Sequence, residues 1–143
     1  MNLLSFGEII WDSYGDSYTI GGAPLNLAAH YAIQGGDAWL ASAVGNDVLG
    51  TRATEHIKAI GLKTDYVSVL DGLQTGECVV TLDEKSVPKY NILENVAYDQ
   101  ISLPVTLNQT FDVIAFGTLA LRSKQNVEAL ECILRNNTFG EIY

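Results

Sequence analysis

Cysteine, proline, methionine and basic charge are all scarce in this chain of 143 residues, which holds two Cys, three Pro, one Met and eight Lys+Arg. Cys78 and Cys132 have no second Cys or His at metal-ligand spacing, so neither a disulfide framework nor a zinc site is supported, and both read as buried thiols. Eight basic residues against seventeen acidic ones leave a net charge of −9 and a pI near 4.4. Such a field repels phosphate backbones and anionic headgroups alike. Nucleic acid and membrane surfaces are therefore not expected partners, and the acidic surplus reads as a solubilising surface. No run approaches the roughly 18 uninterrupted apolar residues of a membrane span, and the N-terminus lacks a basic start and a small-residue cleavage site. A cytoplasmic location is the expectation. What the chain does have is apolar residue, 48% of the total, enough to bury the core of one domain.

Residues 2–10 form a mostly apolar run too short for a helix, which predicts a buried strand with Asp12 just beyond its end. Tyr18–Ile20 is a second short strand candidate. Gly21-Gly22 breaks it, and Pro24 opens a helix to about Gln34, at a first-turn position where the missing N–H costs nothing. Ala38–Val44 reads as a fully buried strand and Val48–Ile60 as a helix that Asp47 caps and Gly61 closes. This β-α-β-α rhythm predicts an α/β fold: an open, largely parallel sheet flanked by helices, with functional groups at the strand C-termini. The rhythm then changes. Tyr66–Leu70, Gly76–Leu82 and Lys89–Leu93 are strand-like and joined by short turns, which predicts a small antiparallel β flap, or lid. Residues 111–117 restore the buried strand, Ser123–Arg135 an amphipathic helix, and Phe139–Tyr143 the opening of another strand. The expected organisation is an α/β body over 1–64, a lid over 65–98 that part of 1–20 could join, and a return to the body over 99–143. A parallel strand with no continuation at Tyr143 is an unusual end for a domain, so truncation is expected.

The segment Gly21-Gly22-Ala23-Pro24-Leu25-Asn26-Leu27-Ala28 sets two glycines against a helix start, where backbone can approach a ligand closely and helical N–H groups point toward it. Asp12 and Asn26 would stand on either side of one crevice. A carboxylate accepts from two hydroxyls, while an amide both donates and accepts, so the pair suits neutral polyols; turning and capping the chain is the competing role for the same two residues. The run Gly21-Gly22 through Asn26 and Ala28, then Gly35 and Gly45, resembles the N-terminal signature of the PfkB/ribokinase family of carbohydrate kinases. The opening Gly7-Glu8 with Asp12 after it, Gly45-Asn46-Asp47 with Gly50 behind it, and Thr75-Gly76 before an extended strand are similar to that family as well.

The resemblance implies a ribokinase-like body that binds sugar and ATP, with a β lid that closes over the sugar and often clasps a second subunit. Transferred to this chain, Asp12 would accept from sugar hydroxyls, Gly22 and Ala23 would line the pocket wall, and Asn26 would bond another hydroxyl. Ala23 stands where ribokinase-like members carry lysine, and Ile10 where they carry a polar side chain, which turns the expectation away from ribose. Gly-Gly-Ala-Pro together with Phe116–Arg122 is similar to the fructokinase branch. Fructose is the expected acceptor, phosphorylated on a primary hydroxyl, with a 2-keto-3-deoxygluconate or nucleoside kinase, or a non-catalytic sugar-binding relic, as alternatives. Tyr90 and Tyr98 could stack on a sugar face or simply pack in a half-buried sheet. Arg122 could reach a sugar hydroxyl or product phosphate, or be a solvated charge. The family's catalytic base lies in a Gly-Ala-Gly-Asp loop late in a chain about twice this long, and that loop is absent here. ATP and Mg²⁺ are thus expected to be bound mainly by a further half, with this segment alone inactive and a homodimer formed through the lid. Gly45–Arg52 has the glycine spacing of a P-loop but Thr-Arg in place of Lys-Ser/Thr, and no Gly-x-Gly-x-x-Gly follows the first strand. His30 and His56 have no nucleophile motif near them and read as packing or surface residues.

Overall fold

In a computed structural model describing residues 1–143, the most apolar stretches become the centre of a parallel sheet. Strand β1 (Asn2–Phe6) lies between β4 (Asp37–Gly45) and β8 (Phe111–Phe116), with β5 (Lys63–Leu70) beyond β4 and β9 (Phe139–Ile142) beyond β8. All four pairings are parallel. Parallel strands are buried on both faces, and alternate residues serve different layers. Leu3, Leu40 and Ala115 pack with Leu25 and Ala28 of α1 (Ala23–Ile33) and with Ala53 and Ile57 of α2 (Val48–Ala59). Leu4, Ala41 and Ile114 point the other way, to Leu130 and Ile133 of α3 (Lys124–Asn136). The result is the expected open sheet with helices on both faces.

The second sheet is built from two hairpins. β2 (Ile10–Tyr14) pairs antiparallel with β3 (Ser17–Gly21), and β6 (Gly76–Leu82) antiparallel with β7 (Pro88–Ile92), while β2 and β6 run parallel to each other, giving the order β3-β2-β6-β7. Two expectations are corrected here. Residues 2–10 are not one strand: the chain turns at Gly7, whose φ is +148° and whose added Cβ would lie 2.5 Å from Pro24 Cγ, and resumes as β2 in the other sheet. Asp12 therefore sits inside a lid strand, not at the end of β1. Tyr66–Leu70 does not join the lid either. It is the end of β5, held to β4 from Ala41↔Tyr66 to Gly45↔Leu70. Residues 93–100 return to the body, where Val96, Ala97 and Tyr98 are wholly buried.

Two buried devices tie the sheets together. Asp47 caps α2 by accepting from Gly50 N–H (2.7 Å) and also accepts from the Thr75 N–H and hydroxyl (both 2.7 Å), while Thr75 Oγ1 in turn accepts from Gly45 N–H (3.0 Å). The body loop after β4 is thereby fastened to the residue before β6. Partial burial raises the Asp47 carboxyl, but the Thr75 and Gly50 hydrogen bonds outweigh it and hold the group below the ordinary value of 3.8. At the second device, Gly76 lies flat against the Tyr98 ring, 2.4 Å from where a Cβ would stand, so no other residue fits without displacing the ring or the strand. Asn126, fully buried, donates to the Tyr98 and Ala120 carbonyls (2.7 and 2.8 Å) and accepts from Ile101 N–H (2.8 Å), which locks the 93–101 segment to α3.

Removing the Asp47 carboxylate strands three donors. Asp47→Ala should cost about 2–4 kcal/mol at neutral pH by urea unfolding. Because the folded pKa is depressed, this contribution is complete above about 3.8 and lost as pH falls through the lower folded value, so the gap between wild type and Asp47→Asn should narrow in acid. The Tyr98 hydroxyl is buried without a partner, and burial pushes its pKa up to about 12. Tyr98→Phe should be neutral or stabilising by up to about 1 kcal/mol. It should also abolish the loss of stability that one phenol contributes between pH 10, where it ionises unfolded, and about 12.

Candidate active site

The winding of the parallel sheet reverses at β1: the chain steps through α1 to β4 on one side and returns to β8 on the other. The crevice beyond the C-terminal ends of β1 and β8 is therefore the switch point, where open α/β sheets bind ligands. Glu8 follows β1 there, Gly117 follows β8, and the Gly21-Gly22 bend delivers the N-terminus of α1 to the same place.

The bend is dictated by contact. Gly22 has φ +118°, and a Cβ on it would stand 2.4 Å from the Glu8 carbonyl oxygen, so only glycine serves. Pro24 fills a notch between Gly7 and Gly117, where added Cβ atoms would come within 2.5 and 2.8 Å of its ring, and Ser5 Oγ donates to its carbonyl at 2.8 Å. The helix start is less open to ligands than its sequence implied. Ala23 N–H is taken by Glu8 Oε1 at 3.2 Å, Pro24 has no N–H, and Asn26 N–H bonds the Gly22 carbonyl at 2.9 Å.

Asp12 and Asn26 are both exposed and both tethered to the diglycine. Pairing of Ile10 with Gly21 places Asp12 two residues along β2, with Oδ2 4.0 Å from the Cβ position of Gly21. Asn26 projects from the first turn of α1 and its side chain makes no intramolecular hydrogen bond. Across the lid, Asp12 lies beside Cys78; burial pushes that thiol up, and the Asp12 charge and hydrogen bond add to the effect. Registers Asp12↔Cys78↔Ile92 and Val80↔Tyr90 put Tyr90 on the same sheet face as Asp12, 67% exposed. Gly22 and Ala23 lie between Asp12 and Asn26 in the chain, Gly22 half-buried and Ala23 exposed.

The other two expected residues are elsewhere. Tyr98 has no exposed surface and belongs to the core, so it presents no ring face to a ligand. Arg122 is neither free nor aimed at the crevice: Nε and Nη2 donate to the two oxygens of Asp99 at 2.9 Å each, Nη2 also donates to the Leu93 carbonyl at 2.6 Å, and the guanidinium lies 5.1 Å over the Tyr98 ring. Cys132 is half-buried instead of buried, while Cys78 is buried. His30 and His56 are on the surface. Glu8 is the residue the sequence reasoning passed over. Its signal was a lone acid inside the apolar run from Leu3 to Trp11, a placement an ordinary buried strand would not tolerate.

No three His, Cys, Asp or Glu side chains converge as metal ligands, and Asp47 fills the Gly45–Arg52 loop with its own carboxylate. These residues thus do not fit Mg²⁺ or a nucleotide phosphate. No helix is long and apolar enough to cross a membrane.

The geometry has counterparts among known proteins. The fructokinase of Vibrio cholerae O395 in apo form superposes with a TM-score of 0.81 at 18% identity, over 94% of this chain and 49% of that one. The 2-dehydro-3-deoxygluconokinase of Thermotoga maritima gives 0.79 at 24%, over 97% and 49%. The pseudouridine kinase of Escherichia coli (strain K12) is 31% identical over 93 residues, 52% of this chain and 29% of that protein. The chain spans about half the length of these solved structures and less of the curated relative. Three relatives with three different acceptors fix the fold without fixing a substrate. The family model described as pfkB family carbohydrate kinase matches residues 5–141, and the chain belongs to that family.

Proposed function

We propose that this chain is the acceptor-binding part of an ATP-dependent sugar kinase whose preferred substrate is fructose, phosphorylated on a primary hydroxyl. The observation that carries the reading is the glycine-enforced bend at the sheet's switch point, with an exposed carboxylate before it in the chain and an exposed amide after it. Asp12 would accept from two sugar hydroxyls while Asn26 donates to one oxygen and accepts from another, so vicinal hydroxyls are read by position. Ala23 leaves the wall small and uncharged, which suits a neutral ketose. Tyr90, on the Asp12 face of the lid, is placed to cover the sugar. The nucleotide, the metal and the base that takes the hydroxyl proton would be supplied by residues outside this chain, and the segment by itself would bind without turning over.

The lid also supports self-association. Tyr14, Leu82, Tyr90 and Ile92 expose apolar surface on one sheet face, and β3 and β7 are free edges. A homodimer formed through this sheet would cover both. The likeness to pseudouridine kinase favours one rival reading, a nucleoside acceptor whose ribose occupies the same groups. A relic that grips sugar but transfers nothing is separated from an enzyme by turnover alone.

The test is a coupled ADP-release assay of the polypeptide as its gene encodes it, with ATP, Mg²⁺ and a panel of fructose, ribose, 2-keto-3-deoxygluconate and pseudouridine. Fructose should give the highest kcat/KM. Asp12→Ala should cost about 2–4 kcal/mol of transition-state stabilisation, roughly 30- to 1000-fold in kcat/KM, and Asn26→Ala about 1–2 kcal/mol. Wild-type kinetics in both variants would refute the site, and a higher rate with another panel member would reassign the substrate.

A further inference from the structure

Glu8, which follows β1 at the switch point, is an acid only 3% exposed. A buried carboxylate is tolerated when its oxygens are hydrogen-bonded. Oε1 meets that need by accepting from Ala23 N–H at 3.2 Å. Oε2 is buried and has no partner. The residues around it are pared down: a Cβ on Gly117 would stand 3.2 Å from Oε2, and one on Gly22 would stand 3.4 Å from Glu8 Cγ. A cavity of about 110 Å³ opens against the same turn, lined by Ser5, Ala23, Pro24, Leu27, Phe116 and Gly117. The one hydroxyl among these lining residues, on Ser5, is committed to the Pro24 carbonyl.

The chemistry of the missing partner follows from the groups present. An ionised carboxylate only accepts, so the partner must bring an O–H or N–H. The adjacent N-terminus of α1 carries partial positive charge, which disfavours a cationic partner at this turn. No second acid or histidine completes a metal shell. A neutral, hydroxyl-bearing molecule is what remains.

We propose that Glu8 is an acceptor-binding residue, in which Oε2 receives a hydrogen bond from a hydroxyl of the phosphoryl acceptor while Oε1 holds the first turn of α1. The proposal rests on the sugar-kinase reading and extends it from the lid to the floor of the crevice. Asp12 rides on the lid sheet, whereas Glu8 follows the central strand of the body. The acceptor would thus be gripped from both sheets, and Glu8 would mark its place before the lid settles.

Glu8→Gln tests this in the gene-encoded polypeptide. The amide oxygen can still accept from Ala23 N–H, while the NH₂ group replaces the free acceptor with a donor. The sugar KM should rise about ten-fold or more, with the ATP KM within about two-fold and Tm within about 2 °C. A series of mono-deoxy sugars supplies a readout that a purely structural role would not move. One deoxy analogue should lose affinity on wild type and lose no further affinity on Glu8→Gln, the signature of a pairwise contact. If Glu8→Gln does not fold, Glu8→Asp, which withdraws the oxygens by one methylene, is read by the same series. An unchanged sugar KM, or an equal loss for every analogue, overturns the proposal while leaving an active wild type as a sugar kinase. A wild type that neither binds nor phosphorylates any sugar overturns both.

Discussion

The architecture of the site turns on one close approach, that of Gly22 to the carbonyl oxygen of Glu8, where a β-carbon would come within 2.4 Å. Because the backbone at residue 22 can adopt φ +118°, the lid strand β3 can end and α1 can begin within one residue, against the end of β1. That contact sets the direction of the helix and brings Ala23 N–H to the Glu8 side chain. It also seats Pro24 between Gly7 and Gly117. Any side chain at 22 would push the end of β3 away from the Glu8 backbone. The cost of so many glycines, in chain entropy, is borne where geometry leaves no alternative.

Much of this was legible in the sequence because it was local. The start of α1 at a Gly-Gly-x-Pro and the capping of α2 by Asp47 depend on residues within a few positions of each other, and the structure has both where the spacing puts them. The alternation of apolar strands and helices likewise sufficed for an open parallel sheet. What could not be read was sheet membership. Leu3 through Ile10 is mostly apolar, since both sheets bury their strands at this seam, and hydropathy does not mark where the chain passes from one to the other. Only Gly7 does, and a glycine in an apolar run is equally compatible with an uninterrupted strand. The same limit hid β5, whose polar start, Lys63-Thr64-Asp65, shortened the apparent strand and left its end looking like part of the lid.

The site residues divide by the same rule. Asp12 and Asn26 stand out in the sequence because they lie on either side of the diglycine, and both are exposed in the structure. Tyr98 and Arg122 were misplaced because their partners are distant: Gly76 closes over the Tyr98 ring, and Asp99 with the Leu93 carbonyl consumes the guanidinium donors. An arginine in a strand-to-helix loop looks the same in sequence whether it faces a ligand or a bidentate carboxylate. Glu8 went unmarked for the opposite reason, being surrounded by residues that make a core, where an acid is easily read as the edge of a strand.

The tethers explain how the lid is fastened to the body. Its hairpins join the body through short segments: residues 7–9 before β2, Gly21-Gly22 after β3, the Leu70–Thr75 loop before β6, and Leu93 after β7. Two of these are pinned by side chains, Thr75 by Asp47 and Leu93 by Arg122, and the other two by the close contacts of Gly7 with Pro24 and of Gly22 with Glu8. Pinning the connections leaves the distal strands free, and the burial follows suit: β7 is exposed throughout, while Ile10, Gly76 and Cys78 nearest the body are buried. Under the proposed sugar-kinase reading, a sheet fastened at its root and exposed at its tip would suit closure over a small molecule, since the tip strands could shift without breaking the hydrogen bonds at the root. Affinity for the acceptor should then depend on groups near the root, where geometry is held, and the rate of exchange on the apolar tip.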